Sequence, residues 1–302
     1  MKSITITAAM NRLVTCLTWG MPFEIKPNSQ ITETLRDTDI IPNPPPSNLN
    51  QGMYVPPDFN PETETRDLKL GVLMVGRGGH AYQTDINGEI DPTTYPHKAT
   101  HTGMFAPLPL IARRLVNDLT GAEKDLYRLR VTGAINNELW VFYFGRRFDA
   151  TQNEIIEVLE TVENGVVQNP PIVYEPTVND LRPQREDLSG NSDGIFMRTY
   201  ASTDVSFTAE QIDEIKYACE QLYGNENKAV ISEIAFCFGK DKTVERQYAA
   251  NGTTLQNAPP NSKEFVACHM GIVESTFKPV IYTGGISDIK NIGISEPLYG
   301  GR

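Results

Sequence analysis

The sequence predicts an α+β, β-rich fold: an N-terminal extended arm, small mixed or antiparallel sheets, and one main packed helix over 209–223. Three observations carry this expectation. Prolines crowd residues 22–61, short apolar runs bounded by glycine recur from Leu68 onward, and the segment 208–224 alone carries a full set of helix signals. On these grounds the chain divides into 1–66, an N-terminal strand and proline-rich arm; 67–164, a β-rich module; and 165–302, an α+β module with a helix on a sheet.

In the arm, proline removes backbone donors and fixes φ, so long helices and central strands are both excluded. The run Ile41-Pro42-Asn43-Pro44-Pro45-Pro46 favours polyproline II. Such a stiff segment suits two destinations equally, a neighbouring subunit or the chain's own surface. The core begins at Leu68–Gly76, a β-branched-rich run that reads as a buried strand. Asn87-Gly88 predicts a hairpin turn between 82–86 and 89–90, with Pro92 expected to cut the second strand short.

Thr120-Gly121-Ala122-Glu123 matches a capping box and predicts a short helix toward Arg128. A hairpin follows, with Tyr127–Val131 and Leu139–Phe144 as strands around the turn residues Gly133, Asn136 and Asn137. The unbroken run Trp140-Val141-Phe142-Tyr143-Phe144 does not alternate with polar residues, which predicts burial on both faces. Residues 155–162 suit a strand or a helical turn, and the polar stretch 179–194 reads as a long loop.

In the helical segment Thr208 and Gln211 form the start, Ile212, Ile215, Cys219 and Leu222 share one apolar face, and Gly224 provides the left-handed stop. The strand 229–238 should pair with 265–270 and 279–282 beneath this helix.

Composition limits function. Lys and Arg total 27 against 38 Asp and Glu, a formal charge of -11, so the surface repels phosphate backbones. The close cationic pairs Arg113-Arg114 and Arg146-Arg147 read as solvated edges, and no direct sequence-specific nucleic-acid binding is expected. The N-terminus alternates Ile with Thr and lacks the apolar core of a signal peptide, and no stretch approaches a bilayer span, so a soluble chain without membrane contact is expected. Cys16, Cys219, Cys237 and Cys268 form no CxxC pair and suit buried thiols in a reducing cytosol.

Each candidate for chemistry has a plainer reading. Gly76-Arg77-Gly78-Gly79-His80 looks like a phosphate-cradling loop but lacks the Lys-Ser/Thr of a Walker motif, so tight backbone packing is favoured. His97 and His101 are spaced to share one side of a helix, with His80 as a third metal ligand, yet Pro96 and Gly103 argue against that helix and no HExxH glutamate is present. No Gly-x-Ser-x-Gly occurs, and Cys268 and His269 alternate to opposite faces of their strand. Glu210, Asp213, Glu214 and Glu220 read as a solvated helix face. No catalytic, cofactor-binding or metal-binding residue is assigned, no cofactor is expected, and the chain is read as a non-enzyme.

The segment from Leu70 to Arg130 resembles virion structural proteins of tailed bacteriophages. The resemblance lies in 71–80 (Gly-Val-Leu-Met-Val-Gly-Arg-Gly-Gly-His), in Pro96-His97-Lys98-Ala99-Thr100, in Asn117-Asp118-Leu119-Thr120 and in Tyr127-Arg128-Leu129-Arg130, with a weaker echo at 229–235. It implies a particle component of the neck, collar, tail or baseplate, made in the host cytoplasm and assembled with copies of itself and neighbouring virion proteins. Two alternatives stand beside it. One is a receptor- or carbohydrate-binding module using aromatics such as Trp19, Tyr54 and Tyr95, and the other is a metal-dependent hydrolase built on His80, His97 and His101.

Overall fold

The computed structural model of the chain describes residues 34–35, 37, 53–55, 69–84, 88, 90–95, 97–98, 103–147, 154–163, 166–167, 172–173, 194–243, 247–249, 255–257, 263–279 and 286–297. Its described elements are β-rich, antiparallel and carry one main helix, the α+β class expected. The largest sheet has eight strands: β1 (Thr34–Leu35), β2 (Tyr54–Val55), β3 (Lys69–Gly76), β6 (Ile111–Arg114), β7 (Tyr127–Ile135), β8 (Glu138–Arg147), β13 (Val230–Thr243) and β16 (Lys263–Pro279). A second sheet has five: β9 (Glu154–Glu163), β10 (Val166–Val167), β11 (Ile172–Val173), β12 (Gly194–Phe207) and β17 (Ile286–Pro297). Two ribbons complete the set, β4 (His80–Thr84) with β5 (Ile90–Thr94), and β14 (Gln247–Ala249) with β15 (Leu255–Asn257). Among the described residues the α-helices with defined bounds are α1 (Gly121–Leu126) and α2 (Ala209–Tyr223), and 3-10 turns lie at Leu115–Asn117 and Glu226–Lys228.

Helix α2 follows from local chemistry. Thr208 Oγ1 accepts from the Gln211 amide while the Gln211 side chain accepts from the Thr208 amide, and Gly224 at φ 68° ends the helix. Its buried face, Ile212, Ile215 and Cys219, lies against Leu73 and Val75 of β3 and Ile231, Ile234 and Phe236 of β13. Each large aliphatic side chain so buried contributes about 1.5–3 kcal/mol. The opposite face of the same strands is buried too: Val72, Met74, Ala235 and Cys237 cluster with Trp140, Phe142 and Phe144. Val141 and Tyr143 pack the other way with Ile111, Leu115 and Leu119, so the aromatic run of β8 is covered on both sides, the burial its missing alternation predicts.

Several local expectations are refined. Strand β7 runs through Gly133 to Ile135, and the turn consists of Asn136 (φ 52°) and Asn137 (φ 63°), the two left-handed residues of a type I′ hairpin. Strand β5 continues through Pro92, opposite Tyr82, because a two-stranded ribbon leaves an edge where the missing N–H costs nothing. Thr120 caps α1 by position only, with no side-chain bond, and Glu123 lies 3.6 Å from Arg113 instead of closing a capping box. Residues 154–163 form a strand. Of the expected pairing with 279–282 only Pro279 is met, as the end of β16, and 280–282 lie outside the described residues, as do 41–46 and 179–193.

Strand β13 is bonded to β16 on one side and to β3 on the other, a pairing that the sequence reading missed. Because β3 and β13 come from opposite sides of residue 165, the boundary read there separates segments of the chain and not separate sheets. The arm's described residues pack on their own chain. Leu35 pairs with Cys268, Met53 is wholly buried, and the Asp37 carboxylate accepts from the Arg130 amide.

Each cationic pair is a solvated edge at one member only, Arg114 and Arg147, while Arg113 and Arg146 are drawn into the structure. Arg113 holds Glu214 of α2 through two hydrogen bonds, and Arg146 donates to the Ser206 carbonyl while lying over the Phe207 ring. Only Arg114 and Arg147 are more than half exposed. Cys219 and Cys237 are buried free thiols, and burial pushes the Cys219 thiol up to about 12.

Candidate functional site

The residues singled out by the glycine-rich loop, by His97 and by the 229–235 echo meet at one carboxylate. Glu233, in the interior strand β13, has no exposed surface. Its presence there needs explanation, because a buried carboxylate loses hydration that only strong hydrogen bonds restore. Four donors supply them. Oε2 accepts from the amides of Gly78 (2.8 Å) and Ala106 (3.1 Å), and Oε1 accepts from the amide of Phe105 (2.6 Å) and from His97 Nε2 (2.9 Å). An ionised Glu233 only accepts, so this bond selects the His97 tautomer with its proton on Nε2.

The local fold sets this up. The register between β13 and β16 shifts between Ile231 and Glu233, a bulge that re-aims consecutive side chains. Ser232 and Glu233 thereby both serve the loop after β3: Ser232 Oγ accepts from the Gly79 amide at 3.0 Å beside the Glu233–Gly78 bond. The loop must lack side chains to come this close. A Cβ on Gly76 would lie 2.6 Å from Glu233 Oε2 and 2.7 Å from the Ala106 carbonyl, and one on Gly79 would collide with the Ser232 carbonyl. The glycines are thus explained by tight backbone packing.

Around the clamp, the His97 ring, 4% exposed, stacks on Phe105 with centroids 4.4 Å apart. Arg77 lies 4.7 Å over the ring of Tyr223, the last residue of α2. That helix has no basic residue in its last turn, so Arg77 places a cation near the negative end of its dipole. His80 meets Tyr82 edge to face, and burial, followed by the nearby Arg77 charge, lowers its pKa from the ordinary 6.5.

A second polar cluster gathers about Arg128 and Arg130, near the start of β7. Asp118 accepts from Tyr143 Oη at 2.7 Å and from Arg130 Nε at 3.0 Å, and burial raises the Tyr143 pKa. Arg128, 3% exposed, pairs with Asp241 of β13. These bonds tie β7 to its surroundings.

Chemically, the four lone-pair directions of Glu233 are all occupied by protein donors, leaving no acceptor capacity for a substrate proton. The arrangement fastens the loop 76–80, His97, Phe105 and Ala106 to strand β13. Of the three proposed metal ligands, His97 is committed to Glu233 and His80 lies in β4 against Tyr82, while His101 is outside the described residues. Among the described residues no group of three or more His, Cys, Asp or Glu is arranged to hold a metal ion, and no helix is long and apolar enough to cross a membrane. Of the helix carboxylates, Glu210, Asp213 and Glu220 are exposed, whereas Glu214 is engaged by Arg113. Glu233 itself went unnoticed in the sequence. Its signal was a single carboxylate in the middle of Val230-Ile231-Ser232-Glu233-Ile234-Ala235-Phe236, where every neighbour is apolar or small.

A family model described as a family of unknown function, DUF7208, matches residues 1–302, and the chain belongs to that family. No curated protein and no solved structure matches it.

Proposed function

We propose that the chain is a structural subunit of a tailed bacteriophage virion, at the neck, collar, tail or baseplate, whose work is to hold contacts with copies of itself and with neighbouring particle proteins. The observation that carries this reading is the use made of the wholly buried Glu233 carboxylate. Glu233 closes a four-donor clamp that rigidifies the loop bearing the resemblance to phage structural proteins. A loop held by a saturated anion suits a structural scaffold better than a centre that must exchange protons with a substrate. The acidic balance of the chain supports partners that are proteins and not bare nucleic acid.

The test is quantitative mass spectrometry of purified particles together with a density map of the particle. The reading expects the full chain at a fixed, integral copy number and traced in contact with other subunits. Finding it only as a free protein, absent from washed particles, overturns the assignment.

One observation favours a second reading, a receptor- or carbohydrate-binding module. Tyr82 and Tyr95 are 58% and 47% exposed beside the clamped loop, where Tyr95 donates its amide to the Gly79 carbonyl. Silence of the purified chain on a glycan array, with Tyr95→Ala as the control for any signal, removes it.

A further inference from the structure

The two sheets differ in how their long strands end. Strand β13, at 14 residues, is bonded along both edges and broken by register shifts. Strand β17, 12 residues long, pairs with β12 in one unbroken register from Phe196↔Pro297 to Phe207↔Ile286. It is the terminal strand of its sheet, and among the described strands nothing pairs with its outer edge. An edge of that length presents a row of backbone donors and acceptors about 40 Å long at roughly 3.3 Å per residue. The edge is also firmly mounted. Strand β12 ends at Val205 and Phe207, which are buried against α2, and the capping residue Thr208 follows at once.

Natural edge strands are usually blunted by bulges, by prolines, by extreme shortness or by charged side chains, and β17 carries only the last of these, as Asp288, Lys290 and Glu296. β17 has no register shift, its proline is its last residue, and it is long. Its charge pattern is self-complementary. In an antiparallel pairing of two copies about a twofold axis at Gly293, Lys290 falls opposite Glu296 and Ile292 opposite Ile294, each pair occurring twice. A second charge-matched register, centred on Ile289, sets Asp288 opposite Lys290 but overlaps a shorter part of the strand.

We propose that two copies of this chain associate by joining their β17 strands antiparallel, edge to edge, in the register centred on Gly293, so that the five-stranded sheets become one continuous sheet across the twofold axis. The choice of a second copy as occupant rests on the assembly reading above, and the interface itself rests on the charge pattern of an edge that no described strand covers.

The experiment uses the full chain in sedimentation equilibrium across the micromolar range at low salt, with circular dichroism to verify that each variant is folded. Wild type should self-associate. Lys290→Glu and Glu296→Lys should each weaken association about tenfold or more by setting like charges opposite one another twice per dimer, and the double variant should recover it. Gly293→Cys supplies a readout independent of affinity, because directly opposed residues at the axis fall within disulfide reach, and oxidation should give a covalent dimer that wild type does not. Unchanged association in both single variants, or no recovery in the double, overturns this interface while leaving self-assembly intact. A monomeric wild type overturns both the interface and the self-association on which it rests.

Discussion

Glu233 and Glu214 each accept short hydrogen bonds from a distant part of the chain, but the first has no exposed side-chain surface and the second is one-third exposed. Glu214 meets Arg113 in a two-pronged ion pair at 2.6 and 2.8 Å, whereas Glu233 meets three backbone amides and an imidazole. The shorter distances do not identify the more important bond. In water-accessible surroundings an ion pair mostly replaces hydration that either partner would otherwise have, so its net worth is small. Inside the sheet no water substitutes, and losing the acceptor strands every donor that points at it.

The comparison breaks most visibly at Glu233. Replacing it with Ala leaves the amides of Gly78, Phe105 and Ala106 and the imidazole of His97 without their acceptor, and should cost roughly 3–5 kcal/mol. Glu233→Gln keeps the shape and one acceptor oxygen but places an NH2 against two existing donors, so it should fall between Ala and wild type. Urea unfolding at unchanged m-value measures both, and a loss below about 1 kcal/mol for Ala would show that the clamp is not structural. Gly79→Ala tests the other side of the same contact. Its Cβ meets the Ser232 carbonyl, so the loop must retreat from β13 and lose the Gly79–Ser232 bond, a cost of about 1–3 kcal/mol by the same assay.

What the residues disclosed in advance follows the range of the forces involved. Helix α2 was legible because its start, its apolar face and its stop all lie between Thr208 and Gly224, and the packing against β3 and β13 agrees with them. The two-sided burial of β8 was legible for a similar reason, since a strand's own sequence records what each face meets. The clamp was not. Gly78 and Glu233 are 155 positions apart, and a glycine-rich loop announces that something comes close without saying what. The pairing of β3 with β13 was missed on the same account, because strand order depends on which partners compete for an edge and not on the composition of either strand. Arg113 and Arg146 were misread because a charged residue next to an apolar run looks solvated until the helix that covers it is known.

His80 sharpens the comparison through pH. Burial and the Arg77 charge lower its folded-state pKa, so the unfolded chain binds a proton that the folded chain resists. The sign follows: stability is unaffected well above 6.5, declines as pH falls through 6.5, and stops declining from this source once pH is below the depressed folded value. Carboxylates titrate at lower pH, so the informative quantity is the difference in melting temperature between wild type and His80→Gln from about pH 7.5 to about pH 5, a span that brackets the ordinary histidine value. The variant should lose less stability than wild type on acidification. Parallel curves would mean that His80 is not desolvated in the folded chain.

The smallest effect belongs to the partly exposed Arg113–Glu214 ion pair. Arg113 is 25% exposed and also donates to the Ala112 carbonyl, and its Glu214 partner lies on α2, which is already anchored by Ile212 and Ile215. The hydrogen bond to Glu214 raises the Arg113 pKa, a shift with no consequence near neutrality because the guanidinium is charged throughout. A double-mutant cycle of Arg113→Ala and Glu214→Ala should therefore give a coupling of about 0.5–1 kcal/mol, near the upper end for surface pairs because the geometry is bidentate. Raising the salt from low to molar concentration should shrink that coupling, while the loss caused by Glu233→Ala should stay nearly constant, since ions screen charges they can approach and leave buried ones alone. Equal salt sensitivity at the two sites would remove the distinction between them and with it the claim that burial, not bond length, sets the worth of a carboxylate in this fold.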